Sequence, residues 1–119
     1  SSTGTNYDLP TLLETSEQLK FCGFKNRIMV DCSHGNCSKE YTQQKTVFET
    51  VLDHYVQGNP SILGMMLESH LEEGSQFLSE SPSTLHYGVS VTDSCLGWDE
   101  TESLVRAASV ALSSSNLMI

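Results

Sequence analysis

Positive charge is scarce in this chain. Only six of its 119 residues are Lys or Arg (Lys20, Lys25, Arg27, Lys39, Lys45 and Arg106), against fifteen Asp and Glu, for a formal net charge of −9. A polyanion would be repelled by that balance, so a nucleic-acid partner is excluded as an expectation. No apolar stretch approaches the roughly 20 residues that cross a bilayer, which argues against a membrane partner. The first residues lack a basic flank followed by an apolar core, so no signal peptide is expected and a cytoplasmic location follows. The four cysteines, Cys22, Cys32, Cys37 and Cys95, lack the Cys-x-x-Cys spacing of zinc clusters. In a reducing compartment they should be free thiols.

Apolar residues make up 38% of the composition, enough for one domain with its own core, taken as residues 1–119. The first seven residues read as a loop. Asp8 is an N-cap, Pro10 lies in the first turn, and Leu9, Leu12, Leu13 and Leu19 mark an apolar face that Gly23 terminates. A strand follows at about 27–33. A second helix is expected from near Lys39, with Val47, Phe48, Val51, Leu52 and Tyr55 at helical spacing and Gly58-Asn59-Pro60 as its stop. A second strand through Ile62 to Leu67 is apolar on both faces, as in a buried parallel sheet. Residues 69–86 show little pattern beyond a possible helical turn around Leu71 to Leu78, and a third strand is expected at about 87–92. Asp99-Glu100-Thr101-Glu102 is a capping-box variant opening a last helix lined by Leu104, Val105, Ala108, Ala111 and Leu112, with Trp98 packed beneath it. The run Ser113-Ser114-Ser115 suggests a fraying end. Beginning in a loop and ending after a capped helix suits a unit that folds.

Strands alternating with helices argue for an α/β fold of parallel β/α units with right-handed crossovers. Three such strands leave edges unpaired and a face half covered, so self-association into a homo-oligomer is expected. His34, Glu68 and Asp93 stand at the C-terminal ends of the three strand-like runs. Parallel β/α units bring those ends to one rim, where α/β folds place their chemistry. An imidazole and two carboxylates there form a candidate site for a divalent metal, Mn²⁺, Zn²⁺ or Fe²⁺, with water in the open positions. The same three residues are candidate catalytic groups toward a small-molecule substrate; the alternative is a relic that holds no ion. His70 reads either as a general acid or base or as a solvent-facing loop histidine. Lys39 reads as an anion contact or a solvated lysine. Asn36 and Cys95 are further candidate substrate contacts, with Cys95 otherwise a packed thiol. Cys32 shares strand parity with His34, but core packing is the simpler reading. His54 and His86 are expected at the surface.

Three segments carry a resemblance to a known family: Ile28-Met29-Val30-Asp31-Cys32-Ser33-His34-Gly35-Asn36, Met66-Leu67-Glu68-Ser69-His70-Leu71-Glu72-Glu73-Gly74-Ser75-Gln76, and Tyr87-Gly88-Val89-Ser90-Val91-Thr92-Asp93-Ser94-Cys95-Leu96-Gly97-Trp98. Together they resemble the C-terminal third of microbial class I 3-deoxy-D-arabino-heptulosonate-7-phosphate (DAHP) synthases, in wording closer to the fungal branch. That family is a (β/α)8 barrel condensing phosphoenolpyruvate with erythrose 4-phosphate at the start of aromatic amino acid biosynthesis. The resemblance implies that His34, Glu68 and Asp93 match three of its four metal ligands and that these segments match its last three strands. The fourth ligand, a cysteine on an early strand, has no counterpart here, and the basic residues that hold the substrate phosphates are mostly missing. A complete barrel takes about 250 residues, more than twice this length. Three readings follow: a piece of a DAHP synthase completed by another polypeptide; a stand-alone descendant repurposed as a lyase, isomerase or cyclase; or a non-catalytic module regulating a synthase. The second suits the ends of the chain, and the first suits descent.

Overall fold

The computed structural model describes residues 4–78 and 80–114. Helix α1 spans Leu9–Phe21. Its N-cap Asp8 has extended backbone angles and accepts a hydrogen bond from the Thr11 amide at 3.1 Å, which satisfies one of the amide groups every helix start leaves unpaired. At the other end the Gly23 amide donates to the Lys20 carbonyl and the Phe24 amide to that of Leu19. This double closure needs a left-handed residue, and Gly23, at φ +83°, supplies it. Gly58, at φ +107°, closes helix α2 (Gln44–Val56) in the same way, with Asn59 reaching back to the His54 carbonyl. Helix α3 runs Trp98–Ser114; Ser113 and Ser114 are helical, and Ser115 of the expected fraying run lies outside the described residues.

Strands β1 (Ile28–Asp31) and β2 (Ile62–Met66) pair in parallel, with Val30 opposite Met65, Asp31 opposite Met66, and an irregularity between Ile28 and Met29. The parallel α/β arrangement is as expected, with three corrections. The third strand is not formed among the described residues: segment 87–92 contributes only an isolated parallel bridge, Ser75 to Ser90. Two local features interrupt it. Gly88 sits at φ +81°, and the Ser90 hydroxyl takes the Thr92 amide that a ladder would need. Second, the segment 69–86 has no turn of helix at Leu71 to Leu78; its backbone is tied instead to the chain beyond Asp93, through His70 to Leu96 and Gly74 to Cys95. Third, α2 starts at Gln44, because the residues after β1 form two short 3-10 turns, His34–Cys37 and Tyr41–Gln43.

The core draws on every helix: Leu12 from α1, Val47, Phe48 and Val51 from α2, Leu104 from α3, with Val30, Cys32 and Ile62 from the sheet region. Val30 and Ile62 turn one face of the sheet toward this cluster. The other face carries Met29 and Leu63, 60% and 57% exposed, with Gly64 between them, its Cα hydrogen pointing to the Met29 methyl. The expectation of a strand buried on both sides fails for β2, whose pattern of burial is closed only at Ile62. A radius of gyration of 16.6 Å, against about 13–14 Å for a compact chain of this length, and extents of 51 × 34 × 22 Å describe an open slab. Trp98 is 53% exposed at the first turn of α3 and does not anchor it, and Val105 also faces outward at 55%. His54, expected at the surface, is half-buried, and its Nε2 has no hydrogen-bond partner. No helix among the described residues is long and apolar enough to cross a membrane.

The four cysteines are free, as expected. Only Cys22 is exposed. Burial pushes the Cys32 thiol up to about 12 and raises that of Cys95. Since the thiolate is the reactive form, a disulfide-exchange reagent at neutral pH should titrate one thiol rapidly in the folded protein and four in urea. Fast reaction of two or more would show that the core is open.

Candidate metal centre

The rim beyond β1 and β2 is built from short-range devices. At the end of β1 the Asp31 carboxylate accepts the Ser33 amide through Oδ1 at 2.8 Å, closing a turn two residues long. Its other oxygen, Oδ2, lies 2.9 Å from Nδ1 of His34. His34 itself sits at φ +50°, a left-handed conformation that costs energy for a residue with a Cβ. It therefore does not end a strand; it opens the 3-10 turn His34–Cys37, three residues beyond β1.

Glu68 follows β2 by two residues and is held on both sides. Its amide donates to Oε1 of Gln44 at 2.8 Å and its carbonyl accepts from Nε2 of the same side chain at 3.1 Å. Gln44 is completely buried at the start of α2, so one side-chain amide takes the place of a neighbouring strand. The Ser33 hydroxyl, itself buried, donates to Glu68 Oε2 at 2.6 Å, leaving Oε1 free to face the rim. Asp93 lies in the bend before Cys95 and Leu96, where Leu96 donates to the Glu68 carbonyl and Cys95 Sγ to the Asp93 carbonyl.

These devices converge. His34 Nε2 is 3.3 Å from Glu68 Oε1 and 3.2 Å from Asp93 Oδ2, and one ligand-type atom from each of the three residues lies within 4.8 Å of the other two. They line a small cavity of about 50 Å³ together with Ser33, Cys37, Lys39 and Ser94. Its volume suits an ion or a water and is too small for a sugar phosphate. The hydrogen bond from His34 to Asp31, then the charges of Glu68, Asp31 and Asp93, hold the imidazole above its usual range. The protonated ring thus stabilises the fold fully below about pH 6.5 and that contribution is lost as pH rises through the raised value. Above it, a ring that donates Nδ1–H to Asp31 would turn a bare Nε2 toward two carboxylate oxygens. A cation between them would relieve that repulsion, and the nitrogen-and-oxygen donor set fits a divalent metal.

Of the residues singled out from sequence, Lys39 lines the cavity, at φ +63° in the turn before α2. His70 does not line it: its Nδ1 accepts the Leu71 amide at 2.8 Å. Asn36 is also elsewhere, accepting the Asn6 amide and donating to the Asn6 side chain and the Asp31 carbonyl, so that it pins the N-terminal segment. Cys95 is buried behind Asp93, and Cys32 is fully enclosed in the core. Asp31, Ser33 and Gln44 went unread in the sequence. The Asp-x-Ser turn signal after β1 was available for the first two; nothing distinguishes Gln44 from a solvated residue at a helix start.

Comparison with known proteins gives consistent results. The family model described as the DAHP synthetase I family matches residues 1–106. The Tyr-sensitive phospho-2-dehydro-3-deoxyheptonate aldolase of Enterobacter agglomerans is 42% identical over 85% of this chain and 47% of its own length. A putative aldolase of the same name from Schizosaccharomyces pombe is 40% identical over 93% of this chain and 30% of its own length. The solved structure of the Francisella tularensis aldolase superposes with a TM-score of 0.83 at 30% identity, over 91% of this chain and 31% of that one. The chain thus spans between about a third and a half of the length of these relatives, bacterial and fungal alike.

Proposed function

This chain belongs to the DAHP synthetase I family, and from that membership and the rim geometry we propose that it forms the metal-ligating wall of a DAHP synthase site, acting in aromatic amino acid biosynthesis within a polypeptide assembly that supplies the rest of the barrel. The observation carrying this reading is the convergence of His34, Glu68 and Asp93 within 4.8 Å. His34 Nε2, Glu68 Oε1 and Asp93 Oδ2 would hold the ion. A divalent metal there would act as a Lewis acid, polarising the aldehyde carbonyl of erythrose 4-phosphate toward attack by phosphoenolpyruvate. The remaining work belongs to the chain itself. Ser33 turns one oxygen of Glu68 inward, Gln44 fixes its backbone, and Lys39 presents an ammonium to an anionic group at the cavity mouth. His70, Asn36 and Cys95 lie outside the lining of this cavity.

Two observations support completion by further chain. The sheet face bearing Met29 and Leu63 is open, as the wall of an unclosed barrel would be. Six basic residues are too few for two phosphorylated substrates. A self-associated homo-oligomer is the second reading of that same open face. The relatives compared give no support to a repurposed chemistry, since each carries the name of the same phospho-2-dehydro-3-deoxyheptonate aldolase. The test is to assay DAHP formation by the chain alone and after co-expression with the remaining part of the S. pombe relative. Activity only in the combination, abolished by a chelator and restored by Mn²⁺, is the expected result. A combination that assembles and stays inactive, or is indifferent to the chelator, would overturn the proposal.

A further inference from the structure

Asp31 makes two bonds with its two oxygens, and the two constrain each other. Oδ1 takes the Ser33 amide at 2.8 Å and Oδ2 meets His34 Nδ1 at 2.9 Å. The first bond bends the chain directly after β1, and the second fixes the ring of the residue that the bend delivers. Between them lies the left-handed backbone of His34, which a free loop would relax. The side chain of Asp31 is 44% exposed and that of His34 50%. Burial therefore does not hold the imidazole in place, and the ring's orientation rests on its polar contacts.

We propose that Asp31 is a positioning residue that selects the Nδ1–H tautomer of His34 and aims its Nε2 lone pair between Glu68 and Asp93. A carboxylate accepts only, so it can face Nδ1 only when that nitrogen carries a proton. Nε2 is then bare, the form a metal ligand requires. Serine or water in place of Asp31 could donate as well as accept and would leave both tautomers open. The inference rests on the metal-wall reading for its purpose, but not for its test.

Asp31→Asn is the informative variant because it nearly preserves shape. Asparagine has one acceptor and one donor where aspartate has two acceptors. Its oxygen can serve Ser33 only by turning its NH₂ toward His34, which favours the Nε2–H tautomer. Its oxygen can serve His34 only by setting NH₂ against the Ser33 amide. Imidazole nitrogen chemical shifts in the metal-free protein, measured above the His34 titration, report the tautomer directly. Nδ1–H is expected in the parent chain, and a mixed or Nε2–H ring in Asp31→Asn. Mn²⁺ affinity, measured by calorimetry, should fall about 10–100-fold, the usual cost of losing an outer partner. Circular dichroism of the variant should match the parent.

An unchanged tautomer in Asp31→Asn overturns the proposal, as does an Nε2–H ring in the parent chain. A changed tautomer with affinity within about threefold of the parent would also overturn it. If neither protein binds Mn²⁺, the metal-wall reading fails, and the tautomer measurement still decides the role of Asp31.

Discussion

His34→Ala is expected to abolish measurable Mn²⁺ binding, lowering affinity by more than the roughly 100-fold that loss of an outer partner can cost. His34 is the hub of the cluster: its Nε2 approaches both Glu68 and Asp93, and its Nδ1 approaches Asp31. Removing it deletes the only nitrogen donor and leaves three carboxylates facing a common space. Calorimetric titration with Mn²⁺ and Zn²⁺ would measure the effect, with circular dichroism confirming that the fold persists. In the parent chain the same titration should strengthen as pH rises. The proton on His34 is held above its ordinary range, and the ion must displace it. Below that raised value affinity should fall about tenfold per pH unit, one proton being exchanged. Equal affinity in parent and variant would remove His34 from the site.

The largest effect on stability is expected at Gln44. Gln44→Met keeps the volume and removes both hydrogen bonds to Glu68. The Glu68 amide then loses its partner in a partly buried setting, where an unsatisfied group costs about 1–3 kcal/mol, while the Glu68 carbonyl keeps its bond from the Leu96 amide. A loss of about 1–3 kcal/mol in urea unfolding follows, with metal affinity weakened in parallel because Glu68 is less firmly fixed. A loss under about 1 kcal/mol would mean that Glu68 finds other partners without Gln44. Few surface polar residues behave this way, and Gln44 carries no surface at all.

These two residues mark how much could be read in advance. The helices were legible because their ends are chemical: Asp8 before α1, and Gly23 and Gly58 after α1 and α2, are local signals that do not depend on distant contacts. The apolar faces of α1 and α2 followed from spacing, although α1 buries only Leu12 of the leucines expected there and leaves Leu9 and Leu13 outside. The third strand was misread because alternation in Tyr87 to Thr92 fixes no pairing. Gly88 and Ser90 broke it, and its would-be neighbour divides its bonds between Gly88 and Ser90 and the later residues Cys95 and Leu96. Trp98 was misplaced because size and apolarity say nothing about which side of a helix start faces the core. Within the site, His34, Glu68 and Asp93 could be singled out by residue type at run ends. Asp31 lay inside an expected strand and Gln44 inside the expected second helix, and neither was singled out. Their roles arise from contacts with residues 3 and 24 positions away, and composition does not encode those contacts.

The bare sheet face has a consequence for how the molecules of this chain behave toward one another. Met29 and Leu63 offer water a sticky, uncharged surface beside an unprotected strand edge. At neutral pH the net charge of −9 opposes the approach of two copies, a long-range repulsion that fades over about 8–10 Å in physiological salt. Acidification toward the isoelectric point near 4.6 removes that repulsion and leaves the sticky surface untouched. Fold and association thus rest on different forces: the core holds each molecule together, while excess acidic residues oppose the approach of one molecule to another.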